Sequence, residues 1–276
     1  MSSGSAGLTV RSERRVFEGT QGFYEHDSAA CAGPMRFGVF MPKSKVRVPA
    51  LYFLAGLECS EETFAIKAGA QRIAQELGVA IVTSDTSPRQ ARFPGDDTSW
   101  DFGQGAGYYV DATEAPWSSA YRMETYVTQE LRTLVEQQFS VRDDVRGLFG
   151  HSMGGHGALS LALRHPALFR SVSAFAPIAA PSKAPWGQKA FTHFFGAAQA
   201  HWMEHDTVEL LKTRQFATKP LVDQGSGDKF LTEQLRPALL GDAVTLRMHE
   251  GYDHGYFFVQ TFVEDHLRHH ARVLST

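Results

Sequence analysis

The pentapeptide GHSMG at residues 150–154 joins an apolar run, residues 145–149, to a helix-like stretch, residues 155–164. Few chains can turn from a strand into a helix within two or three residues, because the connection is strained and needs small residues on both sides. Such a turn holds the hydroxyl of Ser152 out at the carboxyl edge of a sheet. There it faces the first amides of the following helix, whose unpaired N–H groups stabilise a developing negative charge. The motif therefore makes Ser152 a candidate nucleophile that needs a base.

Strand-like and helix-like segments alternate along the rest of the chain. Short β-branched or aromatic runs predict strands at residues 35–42, 50–55, 79–83, 145–149, 171–176, 220–224 and 245–249. Helical patterns occur at residues 63–77, 121–139, 155–164, 188–195, 230–239 and 256–273. This alternation is typical of an α/β protein with a mostly parallel central sheet and helices on both faces. The segment 85–119 lacks periodicity and is interpreted as a long functional loop rather than a linker.

Composition limits the domain count, the partners and the location. With 276 residues and 43% hydrophobic residues, we expect a single domain at residues 9–276 behind a flexible tail at residues 1–8. The net charge of −3 is spread along the chain, which argues against nucleic acid or a membrane surface as partners. No apolar run approaches the roughly 18 residues that cross a bilayer, and no secretory signal follows the tail. Cys31 and Cys59 are too few for a disulfide framework, so we expect a cytoplasmic protein.

A carboxylate and a histidine follow two later strands. Ligands of open α/β sheets bind at the carboxyl ends of strands, and Asp228 and His254 lie just past residues 220–224 and 245–249. The order Ser152, Asp228, His254 is the order of α/β hydrolases. We therefore predict an α/β-hydrolase fold in which His254 is the general base and Asp228 fixes its tautomer.

Other carboxylates leave alternatives open. Asp228 also suits the N-cap of the helical pattern that starts beside it. Asp223 and Asp253 compete with it as partners of His254.

Two backbone amides are candidates for an oxyanion hole. One is the N–H of Met153, the residue after the nucleophile. The second belongs to the loop after the strand at residues 50–55, where Gly56 permits the chain to turn the amide of Leu57 inward.

The remaining histidines are interpreted as background. His151 and His156 flank the motif and are expected to pack or to cap. His266, His269 and His270 are expected on a solvated face of the last helix, so we predict no metal site.

Several blocks of sequence stand out beside the pentapeptide. They are LAGLEC at 54–59, KAGAQR at 67–72, DTSPR at 85–89, GQGAG at 103–107, VDAT at 110–113, GHSMGGHG at 150–157, PWG at 185–187 and GYDH at 251–254. Together these blocks resemble one known family, the S-formylglutathione hydrolases or esterase D family. The resemblance runs from about residue 9 to the C-terminus. It implies a commonly dimeric thioesterase that hydrolyses S-formylglutathione to formate and glutathione in formaldehyde detoxification, with side activity on short-acyl esters. It also implies a Ser152–Asp228–His254 triad and no metal or organic cofactor.

The chain departs from the family pattern at three positions. Ala55 and Glu58 stand where members often carry Ser and Thr, and Glu124 replaces a tyrosine. A carboxylate at Glu58, beside the predicted oxyanion loop, is expected to alter the substrate's charge preference. The interval between the predicted Asp and His of the triad is also shorter, which suggests a trimmed surface helix.

Three residues are candidates for the substrate pocket. Glu58 is one. Cys59 is either a modifiable thiol at the pocket or a buried, inert cysteine. Trp186 either walls the acyl pocket or packs as an ordinary cap residue.

Two other functions remain open from the sequence. A general short-chain carboxylesterase would keep the fold and the chemistry but change the substrate. A noncatalytic binding module on a hydrolase scaffold would keep only the fold. For both hydrolases the expected partner is a small-molecule ester or thioester substrate.

Overall fold

A nine-stranded sheet runs through the computed structural model, which describes residues 7–90 and 92–275. The strands are β1 Thr9–Val16, β2 Gly19–Ser28, β3 Gly33–Met41, β4 Val48–Leu54, β5 Ala80–Ser84, β6 Val141–His151, β7 Ser171–Phe175, β8 Leu221–Gly225 and β9 Thr245–His249. Their order across the sheet is β1-β2-β3-β5-β4-β6-β7-β8-β9. The pairs β1–β2, β2–β3 and β3–β5 are antiparallel. The pairs β5–β4, β4–β6, β6–β7, β7–β8 and β8–β9 are parallel. The predicted mostly parallel α/β sheet is confirmed.

Helices connect the parallel strands. They are α1 Glu61–Lys67, α2 Gln71–Leu77, α3 Met123–Thr125, α4 Arg132–Gln138, α5 Met153–Arg164, α6 Pro185–Phe195, α7 Gln199–Met203, α8 Thr207–Leu210 and α9 Tyr256–Leu274. A π-helical segment, Tyr126–Leu131, joins α3 to α4. Short 3-10 helices lie at Trp117–Ser119 and Pro181–Lys183. Helix α5 packs on β4, β6 and β7, and α9 packs on β6, β7 and β8. Within the described residues, no helix is long and apolar enough to cross a membrane.

The core centres on β4 and β6, which pair in parallel with Phe53 opposite Phe149. The ring of Phe64 on α1 stacks on Phe53, and Phe149 meets both rings at a steep angle. Burial of large aromatic side chains supplies much of the apolar area that stabilises such a sheet. This packing fixes the carboxyl end of β6 between those of β4 and β7.

The antiparallel edge formed by β1 and β2 was not predicted. Most residues of β1 are exposed, and ion pairs such as Arg11 to Glu25, at 3.1 Å, join the two strands. Charged side chains are a common way to protect an edge strand. They also remove the apolar alternation by which a strand is found in a sequence. Of the predicted tail at residues 1–8, residues 1–6 lie outside the described part of the chain.

Two of the helices predicted as continuous are each divided into two segments. The pattern at 63–77 is two helices, because Gly69 adopts the left-handed region at φ 65° between α1 and α2. The pattern at 230–239 is a π-helical turn, Leu231–Leu235, and a 3-10 segment, Pro237–Ala243. Arg236, at φ 49°, separates them and precedes a proline that cannot continue a helix.

The prediction of a solvated histidine face on α9 is also wrong. His266 and His270 are fully buried, and His269 is partly buried. His270 is hydrogen-bonded through Nδ1 to Ser171, at 2.6 Å, and through Nε2 to Ser173, at 2.9 Å. The serines of β7 thus satisfy an imidazole that points into the sheet. Burial holds the pKa of His270 well below its ordinary value, so the ring is neutral in the folded protein.

Replacing His270 is expected to change the pH dependence of stability. The unfolded chain protonates this imidazole below about pH 6.5, whereas the folded chain does not, so the histidine destabilises the fold as the pH falls. In His270→Gln the free energy of unfolding should fall less steeply between pH 6.5 and 5, by up to about 1.4 kcal/mol per pH unit. Urea unfolding at several pH values measures both slopes. Equal slopes in the two proteins would contradict a neutral, buried His270.

Candidate active site

Ser152 occupies a strained turn between β6, which ends at His151, and α5, which begins at Met153. Its backbone has φ 59° and ψ −119°, a region that L-residues rarely adopt. A Cβ on Gly154 would lie 1.9 Å from the carbonyl oxygen of Leu54, and one on Gly150 would lie 2.2 Å from the carbonyl oxygen of Gly154. The turn therefore exists only because both flanking positions are glycine.

The structure brings the predicted relay together. The Oγ of Ser152 lies 2.9 Å from Nε2 of His254, and Nδ1 of His254 lies 2.6 Å from Oδ2 of Asp228. With the proton assigned to Nδ1, the imidazole donates to Asp228 and accepts from the serine hydroxyl. The side chain of Asp228 is fully buried, while that of His254 is 18% exposed. A base that reaches both the nucleophile and the solvent edge can transfer a proton to a bound substrate.

Asp228 makes the two kinds of contact that were predicted as alternatives. Its Oδ1 accepts the N–H of Phe230 at 2.9 Å, as an N-cap does, and its Oδ2 faces His254. The amide of Gln224 donates a further hydrogen bond to Oδ2 at 3.1 Å. Burial opposes ionisation, but the hydrogen bond and charge of His254 outweigh it and hold the pKa of Asp228 below its ordinary value.

Gln224 was missed at the level of sequence. It lies in β8, all of whose residues are buried, where an amide side chain needs a polar partner. The available signal in the sequence was a glutamine in a predicted strand, four residues before the carboxylate.

The competing carboxylates have other partners. Asp223 forms a two-point ion pair with Arg247, with distances of 2.7 and 2.6 Å, and lies 3.3 Å from His266. Asp253 accepts the N–H of Gly255 at 2.8 Å. The histidine of the relay therefore has Asp228 as its carboxylate partner.

The two predicted oxyanion donors lie on either side of Ser152. A Cβ on Gly56 would lie 3.2 Å from the Cβ of Ser152, so the loop that carries Leu57 passes directly over the serine. Met153 follows Ser152 and begins α5. Among residues 7–90 and 92–275, no acceptor is found for the N–H of either Leu57 or Met153. Two free amides beside a nucleophile are suited to bind an oxyanion.

His151 and His156 are both buried, which confirms that they pack inside the protein. The ring of His151 lies 4.6 Å from that of His254. Burial, together with the charge of His254, lowers the pKa of His151 to about 3, and burial lowers that of His156 to about 4. Both rings are therefore neutral near pH 7, and neither adds charge to the site.

Of the three predicted pocket residues, Trp186 is connected to the relay by ring contacts. The ring of Trp186 packs against Phe230 at 4.6 Å, and Phe230 packs edge-on against His254 at 5.1 Å. Glu58 is exposed, and its N–H donates to the carbonyl of Gly105 at 3.0 Å.

The thiol of Cys59 is partly buried, and burial raises its pKa. A raised pKa disfavours the reactive thiolate, which favours the interpretation of Cys59 as an inert cysteine. Within the described part of the chain, no group of three or more His, Cys, Asp or Glu residues is placed to hold a metal ion.

The fold and the Ser–His–Asp arrangement together define an α/β hydrolase. Comparisons with known proteins narrow this class. The sequence pattern of the family described as “Putative esterase” matches residues 28–269. A relative from Paracoccus denitrificans (strain Pd 1222), named S-formylglutathione hydrolase, is 47% identical over 273 residues, which cover 96% of this chain and 97% of the relative.

Solved structures agree with this relationship. An S-formylglutathione hydrolase from Agrobacterium tumefaciens is 42% identical and superposes with a TM-score of 0.94, covering 96% of this chain and 99% of that chain. A fluorophosphonate-binding serine hydrolase of Staphylococcus aureus, FphF, is 19% identical with a TM-score of 0.70 over 92% of this chain and 98% of its own, and it shares the fold. The chain belongs to the S-formylglutathione hydrolase family, within the esterases.

The geometry predicts unequal effects for the two buried aspartates of β8 and its following loop. Asp228→Asn should lower kcat by on the order of 10⁴, because an amide holds the wrong tautomer of His254. Asp223→Asn is the matched control: it should keep kcat within about threefold and lower the free energy of unfolding by about 2 kcal/mol, since Arg247 loses its buried carboxylate partner and keeps only the exposed Asp265. Steady-state kinetics and urea unfolding of both variants measure this. A larger loss of kcat in Asp223→Asn would reverse the assignment.

Proposed function

We propose that this chain hydrolyses S-formylglutathione to formate and glutathione, a step in formaldehyde detoxification, with side activity on short-chain esters. The observation that carries the proposal is the continuous relay from Ser152 Oγ through His254 to Asp228, with separations of 2.9 and 2.6 Å. The relative with 47% identity, named S-formylglutathione hydrolase, supports the choice of substrate. No metal or organic cofactor takes part in the chemistry proposed.

The first half of the reaction forms an acyl-enzyme. His254 Nε2 takes the proton of the Ser152 hydroxyl as the oxygen attacks the formyl carbon of the thioester. Asp228 stabilises the imidazolium that results and holds its orientation. The negative charge on the carbonyl oxygen is held by the amides of Leu57 and Met153. When the tetrahedral intermediate collapses, the C–S bond breaks and His254 returns its proton to the departing glutathione sulfur.

The second half releases formate. A water molecule takes the position of the thiol, and His254 removes its proton as the water attacks the formyl ester of Ser152. The same two amides hold the second oxyanion, and the proton returns to Ser152. Because the relay works in both directions, one set of residues serves both steps.

Trp186 and Phe230 are proposed to limit the acyl group. Their rings pack against each other, and Phe230 packs against the imidazole that must lie beside the acyl carbon. Large flat side chains at this place leave room for a formyl or acetyl group and exclude longer chains.

The assembly is proposed on the family resemblance, and the location on the sequence features described above. We infer a cytoplasmic homodimer in which each chain, folded as one domain over residues 9–276, has a complete site. This is consistent with the fact that every residue of the relay comes from one chain.

A general short-chain carboxylesterase is the second candidate, because the matching family is described only as an esterase. We expect kcat/KM for S-formylglutathione to exceed that for p-nitrophenyl acetate by at least about tenfold, since contacts to glutathione add to those of the acyl group. Measuring both substrates on one preparation tests this. A clear preference for the acetyl ester would establish the second candidate instead.

Replacing the nucleophile should abolish turnover and leave the fold intact. We expect Ser152→Ala to lower kcat for S-formylglutathione by on the order of 10⁶, as loss of the serine of such a relay does. Ser160→Ala, in the helix that follows Ser152, is the control that should keep both activity and stability. Covalent labelling with a fluorophosphonate should follow the same pattern. Unchanged hydrolysis by Ser152→Ala, with circular dichroism like that of the parent, would refute the mechanism.

A further inference from the structure

A cavity of about 350 Å³ opens beside the oxyanion loop. Its wall includes Glu58, Arg89, Asp97 and Trp100. Trp100 packs edge-on against Trp186 at 5.1 Å, and Trp186 packs against Phe230, whose ring contacts that of His254. A cavity of this size, with a few charged groups on its wall, suits part of a small polar ligand.

The cavity contains two carboxylates without a cationic partner. Glu58 and Asp97 are exposed, and neither forms an ion pair with any residue of 7–90 or 92–275. The position of Glu58 is fixed by its backbone: φ is positive, at 63°, and the N–H donates to the carbonyl of Gly105. A residue without glycine's freedom rarely adopts this conformation, so the loop directs the carboxylate at some conformational cost.

Arg89 supplies the opposite, positive charge, and one nitrogen of its guanidinium group makes no hydrogen bond to the described residues. Its Nε and Nη2 bind Asp85, and Nη2 also donates to the carbonyl of Cys59 at 2.8 Å. Nη1 has no acceptor among the described residues, and a Cβ on Gly105 would lie 3.2 Å from it. Nη1 is therefore fixed beside the segment that carries Glu58, with its N–H groups available to an anion.

We propose that this cavity is a subsite for the zwitterionic end of an α-amino acid. The ammonium group binds Glu58, with Asp97 adding negative charge, and the carboxylate binds Nη1 of Arg89. In the reaction proposed above, on which this inference rests, the occupant is the γ-glutamyl residue of glutathione, which carries both groups on one carbon. The departure of this chain from the family pattern at residue 58 thereby becomes a determinant of specificity.

The distances are compatible with one ligand that reaches both sites. Gly56 adjoins Ser152, and two residues of backbone, at most about 7 Å, separate it from Glu58. The γ-linked glutamyl residue extends glutathione by five bonds from the cysteine Cα, or roughly 6 Å. A substrate with its sulfur at Ser152 can therefore place its amino-acid end at Glu58.

The test compares two thioesters that differ only at the ammonium group. These are S-formylglutathione and its derivative in which the glutamyl amine is acetylated. The parent enzyme should prefer the first by about tenfold in kcat/KM, and Glu58→Gln should reduce this preference to about threefold or less, mainly through a higher KM for S-formylglutathione. Glu62→Gln removes an exposed carboxylate outside the cavity and should keep the parent preference. Asp97→Asn should lower the preference by a smaller factor than Glu58→Gln.

Two results would overturn the subsite. One is an equal loss on both thioesters in Glu58→Gln, which would mean that the substitution only disturbs the oxyanion loop. The other is an unchanged preference. If the parent enzyme cleaves p-nitrophenyl acetate but neither thioester, the proposed function fails. The subsite is then tested by comparing glutathione with its derivative acetylated at the glutamyl amine, N-acetylglutathione, as inhibitors of ester hydrolysis. Stronger inhibition by glutathione that is lost in Glu58→Gln would support it, and equal inhibition constants would refute it.

Discussion

The structure depends on one strained residue. A strand and a helix meet at Ser152 with no intervening loop. The strain energy of its φ of 59° is offset by close packing on every side. Gly154 lets the helix approach β4, and Gly56 lets the loop after β4 cross above the serine. Because the neighbouring strands are parallel, their following loops end at the same edge of the sheet. His254 and Asp228 thus come to Ser152 from separate parts of the chain.

Two Ser–His–Asp sets occur among residues 7–90 and 92–275, and they differ in burial. Ser173, His266 and Asp223 form a second set, in which Nδ1 of His266 lies 2.7 Å from the serine oxygen and Nε2 lies 3.3 Å from the carboxylate. His266 is fully buried, whereas the side chain of His254 is 18% exposed. The second set is sealed between α9 and the sheet, where no substrate can reach it. Residue identity alone does not define such a site; access to it is also required.

Much of the site could be predicted because it follows from topology. The strand-to-helix turn identified Ser152, and the rule that ligands bind at strand ends identified Asp228 and His254. What could not be predicted depends on contacts that leave no pattern in the sequence. A histidine on a helix, such as His270, is expected to face solvent. Only the structure shows that the serines of β7 face it and form hydrogen bonds with its ring. The edge strand β1 is hidden for the opposite reason, since its charged side chains pair across the sheet.

The central claim is that the acyl group passes through Ser152, and trapping the acyl-enzyme tests it most directly. Excess S-formylglutathione is mixed with the enzyme, the reaction is quenched with acid within the first turnover, and the protein is digested with trypsin. Cleavage after Arg146 and Arg164 yields the peptide 147–164, which contains Ser152 but not Cys59. Mass spectrometry should find one formyl group in this peptide, located on Ser152. A formyl group on Cys59, or none at all while formate is being released, would contradict the account.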